Sequence, residues 1–128
     1  MRLLVDTHLL LWATEASQRL PRIASRLISD PANDLIFSVA SIWEISIKHA
    51  KGLKSFHAHP GTVWEGLLEN GYMELPVLGK HAVAVGSLPR IHRDPFDRIL
   101  IAQSLVEGIT LLTSDATVAR YPGPIRKV

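Results

Sequence analysis

Short apolar runs alternate along the chain with longer segments whose apolar residues recur at helical spacing. Runs of this length, bounded by turn residues, are typical of strands, and the longer periodic segments are typical of helices. Strands are predicted at residues 3–5, 34–39, 73–77, 109–115 and 124–128. Helices are predicted at residues 7–16, 21–29, 40–51, 62–71, 79–88 and 94–108. The alternation predicts an α/β protein with a central, mostly parallel sheet and helices on both faces.

Composition adds only a little to this prediction of the fold. The 128 residues fit one domain, which we place at residues 1–128. The absence of cysteine excludes a thiolate metal site or a cysteine nucleophile and favours the cytoplasm. No uncharged run approaches the roughly 18–20 residues of a membrane span, so we expect no membrane segment. The net charge of +2 does not identify a class of partner.

Four acidic residues lie where such a sheet binds its ligands. Asp6 follows the first strand, Asp115 ends the strand at 109–115, and Glu44 and Asp97 lie early in predicted helices. In open α/β sheets, ligands bind outside the carboxyl ends of the strands, at the point where the strand order reverses. We therefore expect these four side chains to share one edge of the sheet.

Each acid also has a structural interpretation. Asp6 and Asp115 could cap helices, Glu44 fits a capping box in the segment SIWE, and Asp97 could favour the positive end of a helix dipole. Four carboxylates at one edge would nevertheless repel one another by several kcal/mol, and a divalent cation would remove that repulsion. Oxygen ligands favour Mg²⁺ or Mn²⁺ over zinc.

Four segments in order along the chain carry a family resemblance: LLVDTHLLLW, SVASIWEISIKHAKG, HRDPFDRILIAQS and TLLTSD. Together they resemble the PIN-domain ribonucleases, specifically the VapC-type toxins of toxin–antitoxin pairs. The resemblance implies one three-layer α/β/α PIN domain and RNA cleavage that depends on Mg²⁺ or Mn²⁺. It also implies a homodimer and a small cognate antitoxin.

The resemblance places the acidic quartet of the family, as catalytic and metal-binding residues, on Asp6, Glu44, Asp97 and Asp115. Asp94 is the alternative to Asp97. The family motif has its metal-binding acid just before the helical run RILIAQ, which favours Asp97 and leaves Asp94 as the helix N-cap. One departure is His8, which stands where many relatives carry asparagine.

Basic residues on both sides of the acids are expected to bind the phosphates of RNA. One group surrounds Asp97 and the other follows Glu44; they comprise Arg90, His92, Arg93 and Arg98, and Lys48, His49, Lys51 and Lys54. The alternative is a solvated charged face. Thr113 and Ser114 are expected to position water or a ligand carboxylate, although hydroxyl groups are also common at strand ends.

Two further patterns are interpreted as structural. The segment FHAH at residues 56–59 predicts a surface loop, because no further ligand pattern accompanies its His-x-His pair. Trp12, Trp43 and Ile47 lie at helical spacing and are expected in the core, with contact to a partner as the alternative.

Several other functions compete with that of a toxin ribonuclease. A PIN-like nuclease in RNA processing, without an antitoxin, and a non-catalytic α/β binding module both remain open. A response-regulator receiver is disfavoured because LLVDTH carries one acid and DLIFSV ends without one. A haloacid-dehalogenase phosphatase requires a second Asp two residues after the first, which DTH lacks.

Overall fold

Five parallel strands form one sheet in the computed structural model, which describes residues 1–52 and 56–128. The strands are β1 (Arg2–Val5), β2 (Asp34–Ser38), β3 (Met73–Leu75), β4 (Thr110–Thr113) and β5 (Ile125–Lys127). Their order across the sheet is β3-β2-β1-β4-β5. The predicted parallel sheet is confirmed, and every predicted strand is present.

Six α-helices are found in the described part of the chain, each at a predicted position. They are α1 (Thr7–Thr14), α2 (Arg22–Ser29), α3 (Val39–Ala50), α4 (Pro60–Glu69), α5 (Gly79–Val85) and α6 (Pro95–Glu107). A 3₁₀ turn follows at Val118–Arg120. The helix α4 begins at Pro60, two residues earlier than predicted, because proline is favoured at the first helical position.

Two apolar clusters, one on each face of the sheet, make the three layers. Successive strand residues point to opposite faces, so Leu4 and Leu111 face one cluster while Val5 and Leu112 face the other. The first cluster holds α5 and α6, and the second holds α1, α2, α3 and α4. The helices on both faces of the sheet, predicted from the alternation, and the three-layer α/β/α architecture implied by the family resemblance are confirmed.

The order of the strands brings the carboxyl ends of β1 and β4 together. β1 pairs with β2 on one side and with β4 on the other, and Val5 is level with Leu112. The backbone N–H of Asp6 donates to the carbonyl of Leu112 at 3.1 Å. Asp6, which follows β1, and Thr113, the last residue of β4, therefore lie side by side at the point where the strand order reverses.

Trp43 corrects one prediction. Its side chain is 63% exposed on α3, and its ring packs edge-on against Phe96 at 5.1 Å between centroids. Trp12 is partly buried against the core and Ile47 is half-buried. Helical spacing identifies residues that share a face, but it does not show whether another element covers that part of the face.

No helix within residues 1–52 and 56–128 has both the length and the apolar character needed to cross a membrane.

Candidate metal centre

Asp6 is held rigidly by two hydrogen bonds. It is the N-cap of α1, and its Oδ1 accepts from the backbone N–H of Leu9 at 2.9 Å. Its Oδ2 accepts from the hydroxyl of Thr113 at 2.6 Å. Burial raises the pKa of Asp6, and the charge of Asp115 raises this pKa further. Asp6 therefore both caps α1 and lies at the carboxyl edge of the sheet.

Thr113 connects Asp6 to the loop that carries Asp115. Its fully buried hydroxyl donates to Asp6 and accepts the backbone N–H of Asp115 at 3.0 Å. Asp115 in turn uses Oδ1 to accept from the backbone N–H groups of Thr117, at 2.7 Å, and Val118, at 3.3 Å. The other oxygen of Asp115 points towards His92, with Oδ2 at 3.9 Å from Nε2.

Asp97 lies in the first turn of α6 and contacts His92. Its Oδ2 is 2.9 Å from Nε2 of His92. Burial raises the pKa of Asp97 to about 7, and the charges of Asp94, Glu44 and Asp6 raise it as well, whereas His92 lowers it. Asp97 therefore lies within electrostatic reach of two further members of the predicted quartet.

Glu44 lies on α3 and is almost completely buried. Its Oε2 accepts from Nζ of Lys48 at 2.9 Å. Its Oε1 is buried and has no hydrogen-bond partner among the described residues. A buried carboxylate oxygen without a partner is costly, so a ligand that binds it would stabilise the fold.

Three side chains place ligand atoms close enough to share one ion. In residues 1–52 and 56–128, the one group of His, Asp and Glu side chains suited to a metal is His92, Asp97 and Asp115, whose ligand atoms all lie within 4.8 Å of one another. The unpartnered oxygen of Glu44 and the mutual repulsion of the acids also fit a divalent cation. The residues present therefore fit the metal that the family resemblance implies.

Asp94 is the N-cap of α6, as predicted. Its Oδ1 accepts from the backbone N–H of Phe96 at 2.9 Å, and Pro95 occupies the first turn. Asp97 lies three residues further on and contacts His92 instead. The geometry therefore favours Asp97 over Asp94 as the residue that faces a metal.

Arg98 donates its hydrogen bonds inside the protein. Its guanidinium binds the carbonyls of Pro89 at 2.9 Å and Val85 at 3.1 Å, and the hydroxyl of Tyr121 at 3.1 Å. The contact with Pro89 ties α6 to the segment at residues 86–94, which we call the α5–α6 loop, and the contact with Val85 ties it to the end of α5. They favour a role for Arg98 in holding this loop, and phosphate binding by Arg98 stays a prediction.

The other predicted substrate residues are placed around the centre. Arg90 and Arg93 are exposed on the α5–α6 loop, and Lys48 is paired with Glu44. Ser114 is partly buried next to Thr113. His8 is exposed on α1, and its charge lowers the pKa of Asp6. Lys54 lies outside the described residues.

Two residues of the site were not identified as such from the sequence. His92 was grouped with the phosphate-binding residues, yet its ring contacts Asp97 and faces Asp115. Tyr121 was not singled out, yet its hydroxyl accepts the backbone N–H of His92 at 2.6 Å. The only signal in the sequence was the position of His92 five residues before Asp97.

Two cavities flank these elements. An apolar groove of about 500 Å³ shares α3 and α6 with the carboxylates and is lined by Val39, Trp43, Val77, Val85, Phe96 and Ile99, among others. A larger cavity of about 820 Å³ lies against α1 and α4 and includes His57 and His59. The FHAH segment is a loop, as predicted. We locate the site at the carboxylates, because the larger cavity contains no metal-binding group within the described residues.

Comparison with known proteins supports the fold and supplies a family. The model of the PIN domain family matches residues 3–124. No curated protein sequence matches the chain at a significant level.

Solved structures with a similar fold include three VapBC crystal structures. VapBC2 from Rickettsia felis, bound to a DNA fragment from their promoter, matches with a TM-score of 0.72 at 15% identity, over 99% of this chain and 98% of that chain. DNA-bound VapBC from Salmonella typhimurium matches with a TM-score of 0.70 at 17% identity, with the same coverage of 99% and 98%. VapBC-1 from nontypeable Haemophilus influenzae matches with a TM-score of 0.63 at 17% identity, again over 99% and 98%. At these identities the likeness shows the fold.

Proposed function

The chain belongs to the PIN domain family, and from that premise we propose that it is a metal-dependent endoribonuclease that acts as the toxin of a toxin–antitoxin pair. The observation that carries the proposal is the convergence of carboxylates at the carboxyl ends of β1 and β4. Asp6 and Asp115 are joined there through Thr113, and Asp97 faces Asp115 across His92. Such a site suits the hydrolysis of phosphodiester bonds in RNA.

Asp6, Asp97, Asp115 and Glu44 would hold Mg²⁺ or Mn²⁺. When bound, the metal would polarise a phosphoryl oxygen and supply an activated water. Thr113 keeps Asp6 in one orientation, because its hydroxyl occupies Oδ2 while the amide of Leu9 occupies Oδ1. Lys48 neutralises one oxygen of Glu44 and leaves the other free to act as a ligand.

The exposed basic residues would hold the RNA chain. Arg90 and Arg93 lie on the α5–α6 loop, which also carries His92 to the centre. Each guanidinium that contacts a phosphate contributes affinity that falls with salt and does not depend on sequence. We expect these two residues to set the affinity for RNA and its orientation. We expect the protein to act in the cytoplasm, where it would meet both RNA and the antitoxin.

A protein partner is supported by the apolar groove. Trp43 is largely exposed on it, and the groove shares both of its long helices with the acidic residues. An antitoxin segment that filled this groove would lie beside Glu44 and Asp97 and could cover the site. The three similar solved structures are VapBC complexes, which favours an antitoxin over the alternative of an RNA-processing nuclease without one.

Cleavage of RNA by the purified protein tests the enzymatic part of the proposal. We expect cleavage with Mg²⁺ or Mn²⁺ and none after EDTA. Asp6→Asn and Asp97→Asn should each abolish cleavage with the fold retained, because an amide cannot replace a charged ligand. The matched control is Asp94→Asn, which should remain active because asparagine also caps helices well. Full activity of Asp97→Asn would contradict the assignment.

The toxin part is tested through the partner. The product of a short reading frame immediately upstream of the gene should form a complex with the protein and inhibit cleavage. Trp43→Ala should weaken this complex, whereas Trp64→Ala on α4, away from the groove, should not. Light scattering of the protein alone tests whether it forms the expected homodimer. A chain that cleaves RNA without any inhibitor encoded beside it would favour the RNA-processing nuclease.

A further inference from the structure

We propose that His92 is a nitrogen ligand of the metal centre, so that this site combines nitrogen with oxygen and prefers Mn²⁺ to Mg²⁺. The inference rests on the proposed metal-dependent function only in requiring that a divalent cation binds beside Asp97. It goes beyond the acidic quartet, because it assigns a fifth side chain and a metal preference to the site.

The distances around His92 fit donors that share one ion. Its Nε2 lies 2.9 Å from Oδ2 of Asp97 and 3.9 Å from Oδ2 of Asp115. With metal–ligand bonds of about 2.1 Å, two donors in adjacent octahedral positions are about 3 Å apart and two in opposite positions about 4.2 Å apart. The two separations from His92 fall within or just below that span, and all three ligand atoms lie within 4.8 Å of one another, so a small movement would bring the three donors around one ion.

The backbone of His92 is held in place by two other parts of the chain. Its N–H donates to the hydroxyl of Tyr121 at 2.6 Å, and that hydroxyl also receives a hydrogen bond from Arg98 at 3.1 Å. A loop residue is thereby anchored to the end of the 3₁₀ turn and to α6. Such anchoring lowers the entropy cost of ordering the ring when a ligand binds.

One contact of the ring must change when a metal binds. The backbone N–H of Asp94 approaches Nδ1 at 3.4 Å, which leaves the ring hydrogen on Nε2. Coordination through Nε2 would require this hydrogen to lie on Nδ1 instead and would end the contact with Asp94. The loss is small, because 3.4 Å is longer than the usual hydrogen bond between nitrogen atoms and their acceptors.

An imidazole ligand changes which ion the site prefers. Mg²⁺ strongly favours oxygen donors and keeps several of its waters, whereas Mn²⁺ and the later divalent metals accept imidazole nitrogen more readily. A site made only of carboxylates would discriminate less between the two ions. We therefore expect the protein to bind Mn²⁺ at least tenfold more tightly than Mg²⁺.

The competing interpretation is that His92 donates a hydrogen bond to Asp97 and never touches the metal. Histidine–carboxylate contacts of this kind orient ligands in many metal sites. In that arrangement removal of the ring would weaken binding of both ions to a similar degree, and no nitrogen would be bonded to the metal. The two arrangements therefore differ in a spectroscopic property as well as in affinity.

Pulsed electron paramagnetic resonance of the Mn²⁺-loaded protein tests the proposal directly. We expect electron spin echo modulation from a directly bonded nitrogen, and a changed pattern when the histidines are labelled with ¹⁵N. His92→Gln should lose the modulation, whereas His8→Gln, the matched control on α1, should retain it. Calorimetry should show Mn²⁺ affinity falling at least tenfold in His92→Gln and Mg²⁺ affinity changing much less.

Several outcomes would overturn the proposal. Mn²⁺ that binds and supports RNA cleavage without nitrogen modulation would remove His92 from the ligands and leave the proposed function intact. Modulation that persists in His92→Gln would assign the nitrogen elsewhere. Absence of Mn²⁺ binding together with absence of cleavage would overturn both the ligand assignment and the proposed function.

Discussion

The hydroxyl of Thr113 connects the two sides of this site. Its side chain is fully buried, and it binds both Asp6 and the amide of Asp115. Because these two partners follow different strands, one hydroxyl sets the relation between the two sides of the site. The identity of this residue therefore matters more than its position at the end of an apolar strand would indicate.

Replacing Thr113 by valine should weaken both the fold and the metal site. The change leaves Oδ2 of Asp6 and the amide of Asp115 without their partner, which costs about 1–3 kcal/mol of unfolding free energy. Affinity for Mn²⁺ should fall roughly 10- to 100-fold, as when an outer partner of a metal ligand is removed. Urea denaturation and calorimetry measure the two effects. Thr113→Ser keeps the hydroxyl and should retain most of the metal affinity. Unchanged stability and Mn²⁺ affinity in Thr113→Val would show that Asp6 does not need the hydrogen bond from Thr113.

The stability of the metal-free protein should fall as pH rises, because of Asp97. Burial and neighbouring carboxylates raise its pKa from 3.8 to about 7 in the folded state. Between pH 3.8 and about 7, the folded protein therefore holds a proton on Asp97 that the unfolded chain has already lost. The stabilisation falls as pH rises through this range and is lost above a pH of about 7. The change is roughly 2–4 kcal/mol, and the raised pKa of Asp6 acts in the same direction.

Urea denaturation of metal-free protein at pH 5 and pH 8 measures this dependence. We expect higher stability at pH 5, and a smaller difference for Asp97→Asn, which has no proton to release at this position. Equal stability of the wild-type protein at the two pH values would contradict the raised pKa of Asp97, and with it the burial of this residue beside other carboxylates.

At the scale of elements, the α5–α6 loop is held by Arg98, and Arg93 lies exposed on it. Arg98→Lys keeps the charge but cannot reproduce the forked contacts with Pro89 and Val85. We expect faster amide hydrogen exchange in residues 86–94 of this variant, with the salt dependence of RNA binding unchanged.

Arg93→Ala is the complementary variant. It should leave exchange in the loop unchanged and lower the salt dependence of single-stranded RNA binding by roughly 0.7 in the log–log slope, as expected for one lost phosphate contact. The reverse pattern, with Arg98→Lys changing the slope and Arg93→Ala loosening the loop, would exchange the two roles.

Much of the secondary structure could be predicted because its causes are local. Asp94, Pro95 and Gly108 mark the ends of α6 through a side-chain cap, a fixed φ angle and a φ of 65°. The contacts of His92 could not be predicted in this way. They depend on Tyr121, 29 residues away, and thus on how the 3₁₀ turn packs against α6. The exposure of Trp43 has the same origin, because only tertiary packing decides which part of α3 is covered.

For the whole molecule, metal binding should be visible as thermal stabilisation. An ion that binds only the folded state adds about 2.7 kcal/mol at a concentration one hundred times its dissociation constant. Melting curves should therefore rise in millimolar Mn²⁺ relative to EDTA. At pH 8, above the raised pKa of Asp97, Asp97→Asn should melt above the wild-type protein in EDTA, because one repelling charge is gone, and should respond less to Mn²⁺. A lower melting temperature of this variant in EDTA would make Asp97 primarily a helix-stabilising residue.

The position of β1 in the sheet has a consequence for synthesis of the protein. The contact between Asp6 and Thr113 spans 107 residues, and β1 lies in the middle of the sheet, next to β4. At translation rates of about 5–20 residues per second, Asp6 leaves the peptidyl-transferase centre roughly 5–20 seconds before its partner is made. A ribosome that carries the first half of the nascent chain therefore carries no assembled centre. Long-range contacts of this kind also slow folding, so the activity that we propose would emerge only after an interval that leaves time for synthesis of the proposed antitoxin.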